Sequence, residues 1–496
     1  MEQNSLGQFT DREGTIGRLI GKALFIALLI MLFWSPLWFG TPQNRDLQDT
    51  LVEQGIDFTP ETPSFSAYVS SAYVALFQNS YPNKFLEYGL FFIGGMTVLA
   101  LILKCRVLKK NHTVTYVGLG WALLMLAVMA SGKMEKVPAY RDPWGGALFI
   151  LYGAFFYAAT ISFLTRQRRD LAAFVICLGL LFVAQNAFFQ VCGGLEKTRE
   201  LYAQEQGFDT FAAYYNSWTN TTYKTEEIFT MNRLLSDRAR ANFTSPNILA
   251  SYAMIVTLLG LGLFKGAKQK TMKWMGLLAV VLALFTLFFT RSKSVVIITF
   301  VLVMIWAFVL YRAKELSLNF LIGAFILGSA FTTVNLVWGY GAGLKNKLVS
   351  SGGARLDYWK VAMKMIKMKV LTGYGVNSFA RWHEVWKPNG SEPTKFVHNT
   401  ILQMWAEFGL FAGLGWLLAC ALPITNGWDN FKAAAKKDAL QLSCILASGG
   451  FFVHNLLDFD FYVPGLTIVA LAVMAMAFYT FDEIEATPNE IKENHV

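Results

Sequence analysis

Apolar residues fall along this chain in twelve blocks separated by polar and basic gaps, at 19–40, 85–105, 115–131, 146–165, 171–192, 247–265, 273–290, 294–311, 318–338, 400–424, 440–456 and 463–481. A helix needs about 20 apolar residues to cross a hydrocarbon core of about 30 Å. The pattern therefore predicts an all-α polytopic membrane protein with about twelve transmembrane helices. The first 18 residues are polar, and the first block is too long for the centre of a signal peptide and has no small-residue cleavage site. It is expected to remain as a span.

The gaps set the orientation. Short basic loops mark the cytoplasmic side of a membrane protein. Arg106-Val-Leu-Lys-Lys, Arg166-Gln-Arg-Arg, Lys265-Gly-Ala-Lys-Gln-Lys, Arg312-Ala-Lys and Lys432-Ala-Ala-Ala-Lys-Lys all fall on one side of a twelve-span arrangement. Both termini, with the acidic tail from Asp482, are expected on that side. The other side receives three long segments, 41–84, 193–246 and 339–399. The chain then divides into N-terminal spans with two outer loops (1–246), central spans (247–338), a large outer loop (339–399) and C-terminal spans with a cytoplasmic tail (400–496).

Composition agrees with this picture. Only 15% of residues are charged and 54% are hydrophobic, against about 25% charged in soluble domains. The net charge of +10 is largely explained by the basic loops, which argues against a nucleic-acid partner. The five cysteines lie in or beside apolar blocks without metal-ligand spacing, and they are read as packing residues outside any disulfide framework.

Segments 193–246 and 339–399 are nevertheless rich in lysine and arginine on the outer side, either as a headgroup-facing surface or as the seat of an anionic ligand. Within 356–370, Leu356, Trp359, Val361, Ala362, Met365, Ile366 and Met368 alternate at helical spacing with Lys360, Lys364, Lys367 and Lys369. This fits an amphipathic helix lying on the membrane surface, with Arg355 near its start.

Ionisable residues are sparse inside the blocks and gather at their outer ends: Arg291, Lys293, Arg355, His398, Glu407, His454, Asp458 and Asp460. Transporters tend to keep such groups near mid-membrane, so this placement suits an outward-facing active site better than a permeation path. Arg291-Ser-Lys-Ser is a turn whose arginine either meets headgroups or grips phosphate, for which the planar guanidinium is well shaped. His398 is an interfacial residue or a general base for a sugar hydroxyl. Asn399 caps a helix or binds sugar. Glu407, nine residues on, is a buried partner or lies closer to the surface. Asp458 is four residues after His454, which would put both on one helical face if the helix continues. They form either a structural cap or a supporting, acceptor-binding group.

The stretch from His398 to Gly413 (HNTILQMWAEFGLFAG) resembles the signature of the O-antigen ligase and O-antigen polymerase superfamily. Gly409 takes the place of its first glycine, and Gly413 stands one position late for the second. Three further stretches agree in order. Arg238-Ala-Arg-Ala-Asn-Phe-Thr-Ser-Pro-Asn resembles the family's segment from an arginine to Phe-x-x-Pro-Asn, with Ala241 and Asn242 replacing its usual Gly-Thr. Arg291-Ser-Lys-Ser resembles its Ser-Arg turn. Arg355-Leu-Asp-Tyr-Trp with Leu371-Thr-Gly-Tyr-Gly resembles the start of its large outer loop. The likeness covers roughly residues 235–480.

This resemblance implies a GT-C-like membrane glycosyltransferase in the bacterial inner membrane, with its site on the periplasmic face. The donor would be a glycan on undecaprenyl pyrophosphate, and the acceptor the lipid A core or a growing glycan. Arg291 and Arg355 would grip the pyrophosphate, with Arg238 and Lys293 beside them, and His398 would activate the acceptor hydroxyl. Asn399, Glu407, His454 and Asp458 would support them. Transfer would invert the anomeric centre and require no metal or other cofactor. Ligase and polymerase share these motifs, and the His398 stretch reads slightly more like the ligase branch. A transporter or flippase is the competing class.

Overall fold

The computed structural model describes residues 15–38, 82–102, 112–134, 143–163, 165–219, 231, 234–338, 344–388, 391 and 393–478. Residues 41–81 of the first outer segment, the basic loop at Arg106, Cys105 and the acidic tail lie outside them. The described chain is helical: α1 Thr15–Trp38, α2 Pro82–Ile102, α3 His112–Met134, α4 Pro143–Ser162, α5 Arg166–Phe189, α6 Leu195–Glu205, α7 Phe211–Thr219, α8 Pro246–Gly266, α9 Lys270–Thr290, α10 Lys293–Arg312, α11 Leu318–Trp338, α12 Leu344–Met368, α13 Ser378–Trp386, α14 Thr400–Phe408, α15 Leu410–Ala433, α16 Ala439–His454 and α17 Pro464–Phe478.

Among the described residues, seven stretches are long and apolar enough to cross a membrane: Leu19–Leu37, Arg166–Glu205, Pro246–Gly266, Lys270–Thr290, Lys293–Arg312, Leu318–Val337 and Leu410–Ala433. Shorter apolar helices, Tyr88–Leu99, Thr115–Ser131, Leu148–Ser162, Ala439–His454 and Pro464–Phe478, fall on the remaining expected blocks. The block expected at 400–424 is broken. Gly409 separates α14 from α15, and only α15 is a candidate crossing. The helix expected around 356–370 is longer than its alternation suggested. It begins at Leu344, so Arg355 stands near its middle and not near its start.

Burial orders the bundle. Helix α17 is buried along its whole length, and α8 is buried from Ile248 to Gly260. The α11 span, by contrast, is only 6% buried within the chain, as suits an outer helix facing lipid. Lipid is as apolar as leucine, so helices in a bilayer associate through close packing and small residues. Gly120 of α3 and Gly415 of α15 meet in this way: a Cβ on Gly120 would come within 2.8 Å of the Gly415 carbonyl oxygen, and one on Gly415 within 2.6 Å of the Gly120 oxygen. At the end of the bundle that carries the basic loops, Arg169 at the start of α5 is 1% exposed and ion-paired with Asp170 at 3.0 Å and Asp438 at 2.8 Å. Asp438 also caps α16 by accepting from the Leu440 and Gln441 amides. One buried guanidinium thus joins the two halves of the chain.

Gly409 has φ +88 and ψ 178, a region open essentially to glycine alone. A Cβ there would also collide with the Leu371 carbonyl. This break lets α14 turn away from α15 and carry His398 across the end of the bundle. Gly409→Ala is expected to cost about 3 kcal/mol or more, combining backbone strain with steric overlap. A lowered midpoint of thermal unfolding in detergent checks it.

Candidate functional site

Four pieces of the fold converge at one end of the bundle: the segment 238–247 leading into α8, the α9–α10 turn at Arg291, the middle of α12, and the start of α14 against the turn between α16 and α17. His398 precedes α14 with φ +54, a left-handed conformation uncommon outside glycine and asparagine. Asn399 fixes the chain there. Its Oδ1 accepts from the Leu402 amide at 3.0 Å as the helix cap, and its Nδ2 donates to the Leu456 carbonyl at 3.1 Å. Of the two roles left open for Asn399, the structure displays the cap.

His398 Nδ1 lies 3.0 Å from Asp458 Oδ1. The ring stacks on Tyr358 at 5.6 Å and meets Phe459 edge-on at 5.0 Å. The His398 side chain keeps 24% exposure whereas Asp458 has none. An ionised carboxylate can only accept, so this contact assigns the proton to Nδ1 and leaves the Nε2 lone pair as the basic position. Burial alone would raise the pKa of Asp458. His398, His454 and Arg355 outweigh that penalty and hold its carboxyl well below the usual carboxylate range.

Asp458 is the hub of the arrangement. Its Oδ1 also accepts from the Phe459 amide at 3.0 Å, and its Oδ2 accepts from Asn247 Nδ2 at 3.0 Å with Arg355 Nη2 at 3.9 Å. Arg355 Nε donates to the Leu457 carbonyl at 3.0 Å. Asn247 extends the network. Its Oδ1 accepts from Arg238 Nη2 at 2.7 Å and from Ser292 Oγ at 3.0 Å, while Arg238 Nε donates to the Thr290 carbonyl at 2.7 Å. Arg291 sits beside Ser292 as the left-handed cap of α9, with φ +49 and an exposed side chain. Arg238, Arg355, His398 and the backbone at Arg291 are therefore tied together through Asn247 and Asp458. Lys293 opens α10 two residues after Arg291.

One expectation changes, and one open alternative is decided. The side chains of His454 and Asp458 do not pair, because α16 ends at His454 and the chain turns. His454 Nδ1 instead meets Asp460 Oδ2 at 2.7 Å, with both side chains fully buried. Of the two placements left open for Glu407 the structure shows the buried partner: the side chain is fully buried, and its Oε1 accepts from the Phe379 amide at 3.3 Å and Gln403 Nε2 at 3.5 Å. It braces α13 against α14.

Sequence reading did not assign Asn247, Ser292 or Tyr358 to the site. Asn247 and Ser292 each had a signal, since they lie within the matched Phe-x-x-Pro-Asn and Ser-Arg-like stretches. Tyr358 likewise lies within the Arg355-Leu-Asp-Tyr-Trp stretch that resembles the start of the family's large outer loop. Behind it lies His383 of α13, fully buried, 5.2 Å from the Tyr358 ring and 5.6 Å from that of Phe379. Neither ring nitrogen of His383 has a hydrogen-bond partner among the described residues. Burial lowers its pKa from 6.5 to about 4. Folding favours the neutral ring, so this contribution to stability is complete above pH 6.5 and is lost as pH falls toward 4. His383→Phe, which keeps an aromatic ring but has nothing to protonate, is expected to flatten that acid-side loss. It should also gain about 1 kcal/mol near neutrality by removing unpaired polar atoms. Unfolding midpoints from pH 7 to pH 4 check both.

Residues 278–417 match the family model described as O-antigen ligase. The matched region includes Arg291, Lys293, Arg355, His398, Asn399 and Glu407, while Arg238, Asn247, His454 and Asp458 lie outside it. No curated protein matches the chain.

Proposed function

We propose that this chain, whose residues 278–417 match the family model described as O-antigen ligase, moves a glycan from undecaprenyl pyrophosphate to an acceptor hydroxyl on the lipid A core, at the periplasmic face of the bacterial inner membrane. The observation that carries the chemistry is the His398–Asp458 pair at 3.0 Å, with Arg355 beside Asp458 and Arg238 joined to it through Asn247. Twelve crossings would place this end outside, because the described basic groups at Arg166, Lys265, Arg312 and Lys432 lie at the other ends of the same helices.

His398 Nε2 takes the proton of the acceptor hydroxyl as its oxygen attacks the anomeric carbon of the donor sugar. The new glycosidic C–O bond forms while the bond from that carbon to the pyrophosphate oxygen breaks, with inversion, and the lipid pyrophosphate leaves. Asp458 keeps the proton on Nδ1 and stabilises the imidazolium as it forms. Arg291 and Arg355 meet the growing negative charge on the leaving group, with Lys293 adding charge beside them. Arg238 is bound to Asn247 and the Thr290 carbonyl, so its first task is to hold the α9–α10 turn that presents Arg291.

The test is transfer by the purified protein given a lipid-pyrophosphate glycan with either lipid A core or a second donor molecule. Glycan on lipid A core supports the ligase reading. Lengthened donor chains would instead make the enzyme a polymerase with the same catalytic groups. Arg291→Ala is expected to reduce turnover about a hundredfold, the scale of losing one preorganised charge-stabilising donor. An Arg291→Ala rate equal to the parent's would remove it from the mechanism.

A further inference from the structure

Helix α12 is apolar on two sides, and the fold uses only one of them. Tyr358, Val361, Ala362, Met365 and Ile366 are buried against Phe379 of α13 and Ala406 of α14. The opposite side presents Leu356 and Met363 interleaved with Lys360, Lys364 and Lys367 along a shallow open groove, with Trp359, half-buried against the core side, at its edge. Leu356 is 54% exposed, Met363 39% and Met368 59%. Exposed methionine and leucine side chains in a row are costly to leave in water.

The level of α12 is set at three points by the ends of apolar helices, two of them candidate crossings. The α11 crossing ends at Trp338, and α12 begins at Leu344. In its middle, Arg355 Nε is bound to the Leu457 carbonyl in the turn after α16. Just past its end, the Val370 carbonyl accepts from the amide of Leu410, the first residue of the α15 crossing, at 3.0 Å and from Trp405 Nε1 at 3.0 Å. A helix tied to the ends of two candidate crossings and of the apolar helix α16 lies along the end of the bundle.

We infer that the outward face of α12 is seated on lipid, with Leu356 and Met363 among the upper acyl carbons and Lys360, Lys364 and Lys367 reaching the phosphates of anionic headgroups. Long lysine stems suit that position, since they lie along apolar surface and carry the charge outward. Two of these lysines have contacts within the chain: Lys360 pairs with Asp357 at 2.9 Å, and Lys364 lies 4.4 Å from the centre of the Trp386 ring. The Lys360 pair is exposed and weak enough for a headgroup phosphate to compete with it. Because α12 also carries Arg355 and Tyr358, this seat would set the height of the site above the bilayer. The seat holds whether or not the chain transfers glycan.

The test places a nitroxide label on a cysteine at Met363, and separately at the exposed Arg381 of α13, in full-length protein lacking other reactive cysteines. The protein is reconstituted in nanodiscs of phosphatidylcholine with or without phosphatidylglycerol. At 363 the label should be reached by oxygen and shielded from a water-soluble nickel chelate, giving a severalfold higher oxygen-to-nickel ratio than at 381. Phosphatidylglycerol should raise the ratio at 363 in the parent but not in a K360Q/K364Q/K367Q variant. Equal chelate access at 363 and 381 would mean that the face meets water, and shielding from both reagents would mean that protein covers it. Either result overturns the lipid seat. A ratio insensitive to phosphatidylglycerol in the parent overturns the anionic-headgroup contact.

Discussion

Replacing His398 by asparagine is expected to lower the transfer rate by about 10²–10⁴-fold, the usual contribution of a positioned general base, while leaving the folded protein intact. Asparagine tolerates the left-handed backbone that His398 adopts but cannot take a proton from a hydroxyl near neutral pH. The loss should fall on turnover and leave donor affinity nearly unchanged, because the arginines remain. Asp458→Asn should show a related loss for a different reason. An asparagine there can donate to Nδ1, which favours the tautomer with its proton on Nε2 and removes the basic lone pair from the side facing the acceptor. Asp458 is fully buried, with Asn247 and Arg355 around it, so this variant should also unfold more easily. Transfer rates and thermal unfolding, measured on both variants, separate the two effects. If His398→Asn kept turnover within about tenfold of the parent, the general-base role would be untenable.

The largest effect on stability is expected at the other end of the bundle. Arg169→Met would leave Asp170 and Asp438 facing each other without the guanidinium that now lies 3.0 and 2.8 Å from them. Removing one partner from a buried ion cluster typically costs about 3–5 kcal/mol, because the remaining charge stays desolvated. Here the same change also cuts the link between α5 and the cap of α16. Unfolding of purified protein in detergent measures the loss. A second substitution, Asp438→Asn, should recover part of it by removing one of the stranded charges. Turnover per folded molecule should stay near that of the parent, since the cluster is remote from His398. A midpoint unchanged by Arg169→Met would show that the cluster contributes little to holding the halves together.

Much of this protein is legible in one dimension. A crossing helix must satisfy its backbone internally and present about 20 apolar residues to lipid, so the apolar blocks announce the helices, and the short basic loops between them give an expected orientation. The residues carrying charge stand out for the same reason: in a chain so poor in ionisable groups, His398, Arg291, Arg355 and Asp458 are conspicuous at block ends. Only the tertiary structure decides their pairing. Spacing joins His454 to Asp458, but the helix stops at His454, and the turn sends Asp458 to His398 and Asp460 to His454. Spacing also runs α14 and α15 together, whereas the conformation of Gly409 breaks them and turns His398 toward the site. Asn247, which joins Arg238 and Ser292 to Asp458, comes from a helix start 211 residues away from that carboxylate. Apolar burial depends on composition averaged over a helix and is written locally. A hydrogen-bonded site depends on the directions of single side chains at the ends of several helices, and those directions exist only once the helices have packed.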